Sequence, residues 1–160
     1  MVKTMKRSII VFHSSPVKIE KFRFDNDVET VGVHFGGFYS SLEAASRKAI
    51  EYHADIEEID RTLYTSEVLI YIHKCILTYN TGDKIDVTDL GSNCDWHYFI
   101  DEMKLENHTL AEYKNIYEPD NVSSWFVLQE KHIELVEVST MTLGLANKTL
   151  DIYHEENYNV

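Results

Sequence analysis

Proline and glycine are scarce in this chain, with 2 and 6 copies in 160 residues. That excludes fibrous, linker-like and low-complexity architectures. The two cysteines, Cys75 and Cys94, are too few for a disulfide framework, and no His or Cys pair has zinc-site spacing, so no metal is expected. Both read as reduced thiols in a cytoplasmic protein. Long apolar runs are missing too. The basic start Met1–Arg7 is followed only by Ile9–Phe12, too short for a signal h-region or a membrane span.

Positive charge is the remaining shortage: 15 Lys and Arg stand against 27 Asp and Glu, a formal net charge of −12. A protein that grips nucleic acid by its phosphates needs a basic face, so nucleic-acid binding is not expected. The acidity favours solubility and a basic protein partner. It also admits a reading outside enzymology, an acidic inhibitor that occupies a nucleic-acid site on another protein.

What is present suits one globular domain over residues 1–160. Apolar residues make up 44% of the chain, with 10 Tyr and 7 Phe, enough for a single β-rich core. Ser8–His13 reads as a buried strand closed by Ser14, Ser15 and Pro16. Val17–Glu29 is polar and predicts a loop, and Thr30–Gly36 a second strand broken at Gly36-Gly37. Leu42, Ala45, Ala49 and Ile50 recur at helical spacing and predict a helix over Ser41–His53, with Ser40 and Glu43 fitting a capping box. Val68–Ile72 is a nearly continuous apolar strand suited to the middle of a sheet, and Asn80–Asp83 a turn. Trp96, Phe99, Ile100 and Met103 share one face of a helix over Asp95–Leu105.

Tyr113–Tyr117 and Trp125–Leu128 predict short strands around Pro119-Asp120-Asn121, and Ile133–Val138 a last strand. The segment from Leu143 predicts a closing helix, with Glu155–Val160 fraying. Strands dominate and no regular βαβ alternation appears, so the class is α+β.

Two segments carry a resemblance. Val11-Phe12-His13-Ser14-Ser15-Pro16-Val17-Lys18 and Val31-Gly32-Val33-His34-Phe35-Gly36-Gly37, the latter feeding the Leu42–Ile50 helix, look like the amino-terminal half of ADP-ribosyltransferase-like domains. Ser123-Ser124-Trp125-Phe126-Val127-Leu128, continuing to His132-Ile133, resembles the late strand of that family. The likeness is greatest to its compact phage and bacterial members, an anti-CRISPR transferase among them. The fold implied has two small, mostly antiparallel sheets packed together with a few helices.

The function the resemblance implies is NAD-dependent mono-ADP-ribosyl transfer to a protein or nucleic acid. A phage-encoded enzyme acting on a host or defence factor in the host cytoplasm fits that pattern. In such domains the first-strand histidine holds the ribose of NAD, and His13 occupies that position, with Ser14 where Gly is usual. His34, Phe35 and Gly36 fall on the second motif, where an aromatic residue stacks on nicotinamide, and Tyr39 lies close by as a substitute. The third motif usually supplies a carboxylate; here Ser124 stands at one customary place, while Glu118 and Asp120 precede it.

The chemistry gives each residue type a reason. Breaking the nicotinamide–ribose bond builds positive charge on the ribose carbon, as in glycoside hydrolysis, and a nearby carboxylate stabilises it. A histidine can bond the ribose hydroxyls, and an aromatic face can hold a flat ring. The same residues also admit a catalytically inactive descendant that acts by binding a host protein.

Overall fold

In the computed structural model the residues described are 4–23, 37–53, 67–87, 96–115, 118–119 and 122–158. The strand expected over Thr30–Gly36, the loop residues 24–29, Cys94 and the Asp120-Asn121 part of the turn lie outside them.

The strands are β1 (Lys6–Ser15), β2 (Gly37–Phe38), β3 (Leu69–Asn80), β4 (Lys84–Val87), β5 (Leu110–Tyr113), β6 (Ser124–Val127) and β7 (Ile133–Thr142). The helices are α1 (Leu42–His53), α2 (Trp96–Leu105) and α3 (Leu143–Tyr158). They form an α+β fold with a three-stranded antiparallel sheet, ordered β1-β3-β7, and a four-stranded sheet, ordered β2-β6-β5-β4. Only the β4–β5 pair of the second sheet is parallel.

β3 is central because it is apolar on both faces, as a strand covered on both sides must be. Its Cys75, Leu77 and Tyr79 join Val11 of β1, Phe38, Leu110, Trp125 and Val127 of the second sheet, and Ile19 and Phe22 in the core between the sheets. On its other face Ile70 and Ile72 pack under α1 and α3, against Ala49, Ile50, Leu143, Ala146 and Leu150. A third cluster sets Ile100 and Met103 of α2 on Ala111, Tyr113, Phe126 and Leu128. Cys75 lies in the first core, where burial pushes its thiol up to about 12, so it is an inert apolar filler.

Several local expectations shift for identifiable reasons. α1 is capped by Ser41, whose Oγ accepts the Ala44 N–H at 3.1 Å, and not by Ser40, whose hydroxyl donates to the Ser123 carbonyl. α2 ends in a Schellman turn. Asn107 takes a left-handed φ of 60°, His108 N–H reaches Met103 C=O at 2.8 Å and Asn107 N–H reaches Lys104 C=O at 3.2 Å. Asn is among the few non-glycine residues that adopt that conformation readily. The strand expected over Tyr113–Tyr117 runs instead over Leu110–Tyr113, since Leu110 and Ala111 supply the buried side chains that face the two cores. α3 continues through Tyr158; no Gly or Pro between Ala146 and Tyr158 stops it.

The two sheets are stapled by a buried histidine. His132 Nδ1 donates to the Thr78 carbonyl at 3.0 Å, so its Nε2 is the acceptor for the Thr109 hydroxyl at 2.7 Å. Burial lowers its affinity for a proton below the ordinary value, with the Thr78 contact opposing. The folded protein therefore resists charging this ring where the unfolded chain accepts the proton. Its share of stability is complete above about pH 6.5 and is lost as pH falls below that value. Urea midpoints measured at pH 7.5 and 5.5 should drop more in the natural protein than in His132→Gln; equal drops would mean that His132 carries none of the acid sensitivity.

Candidate functional site

The end of β1 meets the strand-to-helix segment Gly37–Ser41, which begins at the last residue of the second motif. Phe12 and Tyr39 exchange backbone hydrogen bonds of 2.6 and 2.8 Å, a lone antiparallel bridge that ties the first sheet to the entry of α1. One residue on, His13 Nδ1 lies 2.7 Å from the Gly37 carbonyl. A carbonyl only accepts, so Nδ1 carries the hydrogen, and in the neutral ring Nε2 is an acceptor. The half-buried ring is seated among Phe38, Phe22 and His73, with centroids 5.2, 5.4 and 6.0 Å away.

The other side of the same segment is held by Glu118. Its carboxylate is buried, 6% exposed, and accepts four hydrogen bonds. Ser40 N–H and Ser124 Oγ donate to Oε2 at 2.6 and 3.1 Å, and Ser41 N–H and Ser41 Oγ donate to Oε1 at 3.0 and 2.5 Å. In a capping box the N3 acid accepts the backbone N–H of the N-cap residue. Here N3 is Ala44, and the acid comes from Glu118, remote in sequence. The position also suits a negative charge at a helix N-terminus.

Asn115 Nδ2 donates to Ser124 Oγ at 3.2 Å. The Tyr113 hydroxyl is pushed up to about 12, by burial first and by the Glu118 charge second, with Ser124 opposing. Glu118 itself is raised: burial disfavours its charge more than the Ser40, Ser41 and Ser124 bonds favour it. A raised carboxyl lends stability that is complete below about pH 4.5 and is lost as pH rises through the folded value.

His13 and Glu118 thus grip one five-residue segment from opposite sides. Trp125 packs with Phe38 in the core between the sheets, and side chains alternate along a strand. Ser124, with the Glu118 bound to it, therefore lies on the outer face of β6, while His13 looks between the sheets. Tyr39 is 9% exposed, packed on Ala44, Ala45 and Phe12, so little of its ring is available for stacking. Ser14 pairs with Ile72 across β1 and β3. His34, Phe35, Gly36 and Asp120 lie outside the described residues. Among the described residues no group of three or more His, Cys, Asp or Glu could hold a metal ion, and no helix is long and apolar enough to cross a membrane.

The fold has a solved counterpart. The chain is similar to one from the crystal structure of the M. tuberculosis MbcT–MbcA toxin–antitoxin complex, with a TM-score of 0.64 over 92% of each chain. At 11% identity this is a likeness of fold. No protein-family model and no curated protein matches the sequence, so the likeness to the transferases rests on the motif residues themselves.

Two site features escaped the sequence. His73 gave no signal inside an apolar strand, and only the structure sets it beneath His13. The Glu118–Ser40–Ser41 contact joins residues some 78 positions apart, beyond the reach of any local pattern. A Ser cap with no acid at N3 was the available hint that a distant carboxylate completes it.

Proposed function

We propose that this chain is an NAD-dependent mono-ADP-ribosyltransferase that modifies a protein. The observation that supports this reading best is the His13–Gly37 hydrogen bond, which joins the first motif to the end of the second and fixes the tautomer of His13. An Nδ1–H imidazole offers Nε2 as an acceptor for a ribose hydroxyl, the role the resemblance assigns to this position. Ser14 lies beside His13 at the strand end, and His34, Phe35 and Gly36 supply the nicotinamide side, with His34 as the stacking ring.

NAD supplies the ADP-ribosyl group. The bond from ribose C1′ to the nicotinamide nitrogen breaks with its electron pair leaving on nicotinamide, and an acceptor nucleophile bonds C1′ and loses its proton. The chain's own residues bind the ribose, hold the segment that carries the second motif and offset the charge on C1′.

The two candidate carboxylates divide these tasks. Glu118 already accepts four hydrogen bonds at the α1 N-terminus, so both of its oxygens are committed to holding Ser40, Ser41 and Ser124. Charge stabilisation then falls to Asp120. A protein acceptor agrees with the −12 charge, which disfavours nucleic acid. The similarity in fold to a chain of a toxin–antitoxin complex supports a protein partner as well.

Nicotinamide release from NAD, in the presence of cell lysate as acceptor source, tests the assignment. Asp120→Asn should lower the rate about 100-fold or more, the size of effect that loss of one transition-state charge contact gives. Glu118→Gln should act mainly through stability. An unchanged rate in the Asp120→Asn/Glu118→Gln double variant would remove both carboxylates from the mechanism.

A further inference from the structure

His73 sits near the middle of β3 with no exposed surface, in a strand whose other inward residues are apolar. Packing alone does not account for an imidazole there, because a leucine or phenylalanine would fill the space without the cost of burying polar nitrogens. Both nitrogens are used. Nδ1 lies 3.1 Å from the His13 carbonyl, which can only accept, so Nδ1 carries the hydrogen. Nε2 accepts the Ile19 backbone N–H at 2.9 Å, so Nε2 carries none. The two contacts together define a single neutral tautomer.

These bonds join two segments. One is His13 itself, opposite His73 in the β1–β3 register. The other is the stretch after Pro16 that turns the chain toward Phe22. Phe22 then packs edge-on against His13 at 5.4 Å and against His73 at 5.8 Å, and touches Phe38 at 5.3 Å. One buried ring thus anchors the backbone that carries His13 and also the segment that walls in its side chain.

We propose that His73 is a positioning residue for the nucleotide site: it orients His13, through backbone and neighbouring rings, without touching substrate. The inference rests on the transferase reading only for what His13 binds. The orientation of the His13 ring is a property of the protein alone. Without His73, the His13 carbonyl loses the imidazole donor and the Ile19 N–H loses its acceptor, the 16–19 segment loosens from β3, and Phe22 no longer holds the His13 ring against Gly37.

The test separates the two levels. Long-range proton–nitrogen NMR spectra of the unliganded protein should show His73 as the pure Nδ1–H tautomer and His13 predominantly so. His73→Phe keeps the shape and removes both bonds; His73→Gln keeps an amide able to accept the Ile19 N–H. In His73→Phe the His13 signals should move toward an averaged tautomer and NAD affinity should fall roughly tenfold or more, with part of both restored in His73→Gln. If His73→Phe does not fold, the same shifts in milder form in His73→Gln decide the matter. An Nε2–H or charged His73, or His13 signals unaltered in the folded variants, would overturn the inference. Absence of NAD binding by the natural protein would refute the transferase reading instead, while the NMR signature would still decide the role of His73.

Discussion

Glu118→Ala should lower stability by about 3 kcal/mol, the loss that follows when a buried charged partner is removed and its donors stay behind. The truncation strands the Ser40 and Ser41 N–H groups and leaves Ser124 Oγ without its acceptor. It also removes the acid that completes the α1 cap. For a chain of this size the expected fall in Tm is roughly 10 °C. Glu118→Gln keeps an acceptor oxygen but aims an NH₂ at donors, so it should recover only part of the loss. Thermal unfolding followed by circular dichroism measures both, and an Ala variant within 2 °C of the natural protein, well inside the roughly 10 °C shift expected, would mean that the network carries little weight.

Phe38→Ala should cost more still, about 3–5 kcal/mol, the range for emptying a buried phenylalanine site. Phe38 is wholly buried on the short strand β2, which among the described residues is held to its sheet by pairing with Trp125 and Phe126. It fills the core between the sheets and forms one wall of the His13 seat, 5.2 Å from that ring. The variant should therefore lose stability and weaken nucleotide binding together. Phe38→Leu keeps most of the volume and should recover most of the stability while leaving His13 less firmly seated. Urea unfolding gives the first quantity and ligand titration the second; a Phe38→Ala protein as stable as the natural one would contradict the packing described.

How much the sequence revealed depended on how local the governing physics was. α1 and α2 were legible because their apolar residues recur on one face, and the central place of β3 because an unbroken apolar run needs cover on both sides. The α+β class followed from short strands without regular crossover helices, and the two packed sheets from the family resemblance. The extent of β5 was misjudged because Tyr113 reads equally well as a strand start or a strand end; pairing with β4 and β6 decides it. The cap of α1 was misassigned by one residue for a similar reason. Ser40 and Glu43 match the local pattern, but the acid that completes the cap is Glu118.

The site followed the same rule. His13 stood out because it falls on the first motif of the family that the sequence resembles. His73 did not, because a histidine within an apolar strand has no local signature, and its meaning comes from the His13 carbonyl and Ile19 N–H it serves. The role of Glu118 was open in the sequence and is narrowed by its four donors, which make it a clamp on the Gly37–Ser41 segment.

The most direct test of the account is a titration of the purified protein with NAD, followed by thermal shift and calorimetry, beside His13→Ala. The account predicts that NAD raises the Tm of the natural protein, by an increment that grows with ligand concentration, and leaves His13→Ala unmoved. Stabilisation of neither protein, or equal stabilisation of both, would contradict a nucleotide site built on His13.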